Sequence, residues 1–277
     1  MSAPVRRAAV LGHPIAHSLS PTLHLVAYQA LGLTGWTYER HDVTADQLPA
    51  FLASLDPSWA GLSLTMPLKV AVLDLADHVE PLARMVGAAN TLLVDSAGRP
   101  AVAANTDVHG IVAALREAGV DRAGSAAVLG GGATAAAALA ALAALGVSAP
   151  RVYVRSLSRA GGLVPAAARM GVDATLRPWR AAAVELGNVD VVVSTVPGEG
   201  ADELARALGP VSGVLLDARY DVRPTPLLDA WRRAGGRGVG GERMLLHQAA
   251  EQVRLMTGLV APVPAMDAAL SAVLAVS

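Results

Sequence analysis

Cysteine is absent from the chain, so disulfide bonds and thiolate chemistry are excluded outright. No block of like charge stands out, and the formal net charge is −1, which offers nucleic acid no attracting field. A small-molecule partner is therefore expected, with no nucleic acid and no membrane. The most apolar stretch, from Ala133 to Val147, is about 15 residues of mostly alanine, short of the ~20 that a membrane span requires. It reads as a buried helix. At the N-terminus, Met1-Ser-Ala-Pro-Val-Arg-Arg leads into an apolar run too brief for a secretion signal, and the cytoplasm is the expected compartment. With 277 residues, 53% of them hydrophobic and 16% charged, the chain can bury a sizeable core and divide into two domains.

Lysine is the scarcest charge. Of the 22 Lys and Arg residues only Lys69 is a lysine. Arginine stays protonated, whereas a lysine ammonium is compact and surrenders its proton when its surroundings lower its pKa, so proton transfer is a natural reason to keep one. Ala60 to Thr65 alternates like a short buried strand, and Pro67 stands where a helix takes its first residue, which places Lys69 near the third helical position. There the helix dipole opposes the cation by about 0.3–1 kcal/mol, enough to bias the amine without neutralising it.

From the start of the chain, Arg7 to Leu11 predicts a strand that runs into Gly12-His-Pro-Ile-Ala-His-Ser-Leu-Ser-Pro21. Ser18 and Ser20 are two apart, so both hydroxyls point one way in an extended segment. Ser20 is expected to cap a helix from Pro21 to Leu31 that ends at Gly32. Two hydroxyls beside a helix start suit a carboxylate or phosphate, and a capping serine with an ordinary neighbour is the competing reading. His13 and His17 are four apart, but Pro14 between them argues against a helix aiming both at one metal, and no metal is expected.

Strands at 36–43 and 60–65 around a helix at 48–55 give the rhythm of a parallel βαβ unit. Asparagine is scarce, yet Asn90 and Asn105 sit in matched Asn-Thr pairs joined by a hairpin through Ser96-Ala-Gly98. Each asparagine could simply satisfy a turn. Asp107 is placed to cap the helix beginning at Val108 and to offer a carboxylate to a proton-handling amine.

Beyond Gly119 the chain restarts as a strand, a glycine turn and an Ala-rich helix, with G-x-G-x-x-A at Gly130, Gly132 and Ala135. Between a strand and a helix this pattern predicts dinucleotide binding, with backbone N–H groups approaching a pyrophosphate. The next strand ends in Arg155-Ser-Leu-Ser-Arg159, without the acid that would hold a ribose 2′-hydroxyl. Arg155 and Arg159 with Ser156 point to a 2′-phosphate and hence to NADP, unless they are surface charges. Strands at 189–194 and 213–217 complete a doubly wound sheet.

The ordered set His-Ser-Leu-Ser-Pro21, Leu64-Thr-Met-Pro-Leu-Lys69, Ala89-Asn-Thr91, Asn105-Thr-Asp107, Gly130-Gly-Gly, Asp217-Ala-Arg-Tyr220, Thr225-Pro-Leu and Met244-Leu-Leu-His-Gln248 resembles the shikimate dehydrogenases over nearly the whole chain. The resemblance implies an NADP-dependent oxidoreductase that interconverts shikimate and 3-dehydroshikimate in aromatic amino-acid biosynthesis, acting as a monomer or a homodimer. It implies Lys69 and Asp107 as the catalytic pair, and Ser18, Ser20, Thr65, Asn90, Asp107, Tyr220 and Gln248 at the substrate. It implies Gly130, Gly131, Gly132, Ala133, Thr134, Arg155, Ser156, Arg159, Ala218 and Gly241 at the cofactor. Ser63-Leu-Thr65 stands where the family commonly has Asn-Val-Thr, and Val154-Arg-Ser156 where it has Asn-Arg-Thr.

The expected fold is α/β in two domains. Residues 1–106 and 241–277 form the substrate domain, 107–240 a Rossmann-type NADP domain, and the apolar stripe Leu245, Leu246, Ala249, Ala250, Val253 and Met256 returns the last helices to the first domain. Three rivals stay open: a broader quinate/shikimate dehydrogenase, an enzyme like methylenetetrahydrofolate dehydrogenase, and a non-catalytic sensor on the same fold.

Overall fold

The computed structural model describes residues 5–158 and 160–275. The chain forms two compact units, one of Met1–Thr106 with Leu245–Ser277 and one of Asp107–Met244.

The first unit opens with β1 (Arg6–Gly12), α1 (Ser20–Ala30), β2 (Trp36–Asp42), α2 (Leu48–Ala53) and β3 (Trp59–Leu64). A four-residue α3 (Leu68–Ala71), a short β4 (His78–Val79), α4 (Pro81–Val86) and the hairpin strands β5 (Thr91–Val94) and β6 (Pro100–Ala104) follow. The six strands form one sheet in the order β2-β1-β3-β5-β6-β4. β1 lies parallel to both β2 and β3, with Val10 beside Arg40 on one side and Ser63 on the other. β5 runs antiparallel to β3 and β6; it pairs with β6 through a tight hairpin, which reverses the chain, whereas the crossovers through α1 and α2 preserve its direction.

The second unit starts with α5 (Asp107–Glu117), then β7 (Ala126–Leu129), α6 (Ala133–Ala144), β8 (Arg151–Val154), α7 (Leu163–Arg169), β9 (Thr175–Pro178) and α8 (Ala182–Glu185). It continues through β10 (Val191–Ser194), α9 (Gly198–Ala207), β11 (Val214–Asp217), α10 (Pro226–Arg233) and β12 (Arg237–Gly240). Its sheet has the order β12-β11-β10-β7-β8-β9 and is parallel throughout. The direction of winding reverses between β7 and β10, and in sheets of this kind the crevice beyond that switch point receives the ligand. Residues Ala135–Leu142 of α6 are all buried, so the alanine run that could be mistaken for a membrane segment is a helix packed close by its small side chains. No described helix is long and apolar enough to cross a membrane.

The chain ends in α11 (Gly241–Thr257) and α12 (Val263–Leu274). The first turn of α11 belongs to the second unit. Gly241 donates to the Arg219 carbonyl at 3.2 Å, and Arg243 pairs with Glu117 at 2.9 Å. The rest of α11 and all of α12 complete the first unit. β1 alternates across its sheet: Ala8 and Val10 pack with Leu23, Ala27, Leu246, Ala249, Val253, Met266 and Leu270, while Ala9 and Leu11 pack with Leu48, Leu52, Leu62, Leu64 and Leu68 on the other face. A Cβ at Gly61 would stand 2.9 Å from Met256 Cγ, so α11 lies tight on β3 only because this strand carries a glycine there.

Candidate active site

In the first unit the functional residues gather at the C-terminal end of β1 and β3. Thr65 N–H donates to the Leu11 carbonyl at 2.9 Å and His13 N–H to the Met66 carbonyl at 2.9 Å, which stitches the two strand exits together. The contact needs a glycine, since a Cβ at Gly12 would collide with the Thr65 methyl. Leu64 N–H donates to the Asn90 carbonyl at 2.8 Å, and Ala89 N–H to the Lys69 carbonyl at 2.8 Å. The turn bearing Thr65 and Lys69 is thereby tied to the segment bearing Asn90, and both Thr65 and Lys69 are half-buried.

Two local expectations are corrected here. Pro67 is not the first residue of its helix but the residue before it, with φ −95° and ψ 16°, so Lys69 is the second residue of a helix only four long. A turn closed by Leu68 N–H on the Thr65 carbonyl at 2.8 Å occupies the place of the expected first turn, and one turn of helix gathers little dipole. Ser20 does not cap α1. Leu19 is the capping residue, no side chain accepts there, and Ser20 is already helical. Its hydroxyl turns instead toward Tyr38.

Ser18 and Ser20 are each 6% exposed. Ser20 N–H donates to Ser18 Oγ at 3.3 Å, while Arg40 Nε and Nη2 donate to the Ser18 carbonyl at 2.9 and 2.6 Å. Tyr38 hydroxyl donates to Ser63 Oγ at 2.6 Å, and Ser63 hydroxyl donates in turn to Gln252 Oε1 at 2.8 Å. Burial pushes the Tyr38 phenol up, so it remains a donor at any working pH. Gln252 is saturated: its amide donates to the Asn90 carbonyl and to Thr91 Oγ1, both at 3.0 Å, and its oxygen also meets His24 Nε2 at 3.3 Å. His24 stacks on Tyr38 with ring centroids 4.0 Å apart, and burial pushes its imidazole down to about 3. It is neutral at pH 7. The Gln252 oxygen requires a proton on Nε2, which leaves Nδ1 to accept from Tyr28 hydroxyl at 3.2 Å.

Asn90 turns its side chain the other way. Its oxygen accepts Thr106 N–H at 2.7 Å, and its amide donates to Thr106 Oγ1 at 2.9 Å and to Gln248 Oε1 at 3.1 Å. Asn105 donates to the Ala88 carbonyl at 2.8 Å and so holds a turn. His13 pairs with Asp42 at 2.6 Å at an exposed edge. Among the described residues no His, Asp or Glu cluster could hold a metal.

In the second unit Asp107 opens α5 and is 4% exposed. A cavity of 480 Å³ is lined by Gly130, Gly131, Gly132, Tyr153, Val154, Arg155, Ser156, Ala160, Trp179, Thr195, Val196 and Pro197. Gly130 has φ +116°, a value side chains avoid, and a Cβ there would collide with Thr195 Oγ1. A Cβ at Gly132 would meet nothing within 4 Å; it would project into free space at the start of α6, where a phosphate bound by backbone N–H groups would lie. Ala133 and Thr134 form the first turn of that helix. Glycine turn, cavity and guanidinium fit a dinucleotide. Arg155 and Ser156 lie on the wall, Ser156 Oγ is 3.0 Å from Ser158 Oγ, and Arg159 lies outside the described residues. Tyr153 is pushed up to about 12 by burial and by its bond to Glu185 at 2.8 Å.

Ala218 and Gly241 come together, since a Cβ at Gly241 would collide with the Ala218 carbonyl. Just before them, Thr225 Oγ1 donates to Asp217 Oδ2 at 2.6 Å and accepts Leu228 N–H at 3.2 Å, which caps α10 and closes the loop bearing Tyr220. Burial raises both the Asp217 carboxyl and the Tyr220 phenol. Sequence reasoning missed Tyr38, Arg40, Gln252 and Trp179. The apolar strand ending Ser194-Thr-Val-Pro197 was the available signal for the cavity wall at 195–197.

A parallel doubly wound sheet with a glycine turn, joined in one chain to a mixed α/β unit holding a serine cradle and a lone lysine, is the plan of a dinucleotide-dependent dehydrogenase. The chain belongs to the shikimate dehydrogenase family. Residues 10–92 match the shikimate dehydrogenase substrate binding domain and residues 241–270 the shikimate 5'-dehydrogenase C-terminal domain. The shikimate dehydrogenase (NADP(+)) of Rubrobacter xylanophilus is 37% identical over 95% of this chain and 94% of its own. The crystal structure of Mycobacterium tuberculosis shikimate dehydrogenase is 47% identical with a TM-score of 0.86, covering 96% of this chain and 99% of that one. The Thermus thermophilus enzyme in complex with NADP(H) and shikimate is 33% identical with a TM-score of 0.81, covering 97% and 99%.

Proposed function

We propose that the chain catalyses the NADP-dependent, reversible reduction of 3-dehydroshikimate to shikimate in aromatic amino-acid biosynthesis. The observation that carries this reading is the cradle of Ser18 and Ser20, two buried hydroxyls suited to a substrate carboxylate, on the same unit as the only lysine of the chain. Residues 1–106 and 241–277 are read as the substrate domain and 107–240 as the NADP domain. The cytoplasm is the proposed compartment, with a monomer or a homodimer as the working form.

Ser18 and Ser20 donate to the substrate carboxylate, and Thr65, Asn90, Asp107, Tyr220 and Gln248 take the ring hydroxyls and carbonyl. Hydride transfer is the chemistry that bound NADP would supply. Gly130, Gly131, Gly132, Ala133 and Thr134 would hold its pyrophosphate, Arg155, Ser156 and Arg159 its 2′-phosphate, and Ala218 and Gly241 its nicotinamide end. The task left to the protein is the hydroxyl proton. Lys69 as a neutral amine removes it during oxidation, and as an ammonium donates it during reduction, with Asp107 orienting the amine. Because Lys69 stands on a turn fixed by backbone bonds at 65–68 and 69–89, its backbone needs no reordering when the side chain meets the substrate oxygen.

The reading is tested with purified protein, shikimate and NADP, following absorbance of the reduced nicotinamide, with quinate and NAD alongside. Turnover confined to shikimate with NADP is expected. Turnover of quinate with NAD at comparable kcat/KM would replace this reading with a broader quinate/shikimate dehydrogenase.

A further inference from the structure

Two serine hydroxyls can orient a carboxylate but cannot balance its charge. Arg40 stands next to them. It lies on β2 two residues beyond Tyr38, so both side chains leave the same face of the strand. Two of its N–H groups converge on the Ser18 carbonyl at 2.9 and 2.6 Å, and its guanidinium is close enough to act on the Tyr38 phenol that the Ser20 hydroxyl also meets. Among the described residues no carboxylate pairs with it: Asp42 on the same face is taken by His13 at 2.6 Å, and Glu39 on the opposite face by His41 at 3.0 Å and Arg7 at 3.6 Å. A guanidinium carries five N–H donors, so one held by a carbonyl alone keeps both its full charge and further donors.

We propose that Arg40 is the specificity-determining cation of the substrate cradle, holding the Ser18 backbone in place and supplying the positive field that selects a carboxylate-bearing substrate over its neutral counterpart. This rests on the assignment of Ser18 and Ser20 to the substrate carboxylate. Arg40 acts partly through Ser18 and is in that respect a positioning residue. Its exposure to solvent makes the field salt-dependent, because screening weakens an exposed charge far more than a buried one.

The test compares wild type, Arg40→Gln and Arg40→Lys on shikimate and on shikimate methyl ester, at low and high salt, with unfolding midpoints measured for each. For Arg40→Gln the shikimate KM should rise about threefold to tenfold, the size expected of one charge a few ångströms away in a wet site. Its kcat and NADP KM should stay within about twofold, and the KM for the ester, which feels only the loosened Ser18 backbone, should rise clearly less than that for shikimate. In the wild type, salt should raise the shikimate KM and leave that of the ester alone. Arg40→Gln should lose this salt dependence and Arg40→Lys should keep it. Equal losses on acid and ester would reduce Arg40 to a backbone prop, and an unchanged shikimate KM would remove it from the cradle; either overturns the proposal. A wild type that does not turn over shikimate would instead overturn the functional assignment beneath it, so the two failures are distinct.

Discussion

Acid should loosen the first unit through His24. In the unfolded chain this imidazole titrates near its ordinary value of 6.5, and in the fold burial pushes it down to about 3. Between those values the unfolded chain binds one more proton than the folded one. Stability is therefore fully present above about pH 6.5 and is lost as pH falls toward 3. At about 1.4 kcal/mol per pKa unit, going from about pH 7 to about pH 5 removes about 2 kcal/mol through this one group. The structural cause is burial: a charged imidazolium would be fully enclosed against the Tyr38 ring, and a proton on Nδ1 would also take away the acceptor that Tyr28 hydroxyl uses. Other groups titrate over the same range, so the measurement is a difference. Urea unfolding of the wild type and of His24→Phe, which keeps a ring against Tyr38 and has no proton to bind, should be compared at both pH values. The variant is less stable at about pH 7, having lost its bonds to Gln252 and Tyr28, but it should lose about 2 kcal/mol less on acidification. Parallel losses in the two proteins would refute the buried, neutral imidazole.

At the glycine turn, Gly132→Ala should leave the unfolding midpoint almost unchanged, because its methyl meets no protein atom within 4 Å, yet raise the NADP KM about tenfold by occupying phosphate space; a normal NADP KM would move the pyrophosphate elsewhere. Replacing Arg155 and Arg159 together by alanine should weaken NADP by at least about 10²-fold, at about 1.5–3 kcal/mol per charge-assisted contact. The KM for NAD should barely change, and equal weakening of both cofactors would refute the 2′-phosphate assignment.

Much of this architecture was legible because it rests on local pattern. β1, β3, β7 and β10 are apolar runs bounded by turn residues, the glycine turn lies between a strand and a helix, and the stripe from Leu246 to Met256 has helical period and packs where that period implies. β9 and β12 were not anticipated. Thr175-Leu-Arg-Pro178 is largely exposed and Arg237-Gly-Val-Gly240 is half glycine, so neither carries an apolar signature. In the site, Ser18 and Ser20 stand out by adjacency and Lys69 by rarity. The shell behind them does not, because Tyr38 and Ser63 are 25 residues apart and Ser63 and Gln252 are 189 apart. Such bonds exist only once three strands and a returning helix have packed. A separation of 22 residues from Ser18 likewise hid Arg40, which reads as an ordinary surface charge until the chain folds the two together.

The mechanism proposed above gives the substrate proton to Lys69. It is tested most directly by the turnover of shikimate with NADP in Lys69→Ala set beside the wild type, with shikimate affinity measured separately. Turnover should fall about 10²- to 10⁴-fold, the range for a lost acid/base group, while affinity changes far less. A variant that turns over shikimate at near the wild-type rate would remove Lys69 from the proton transfer.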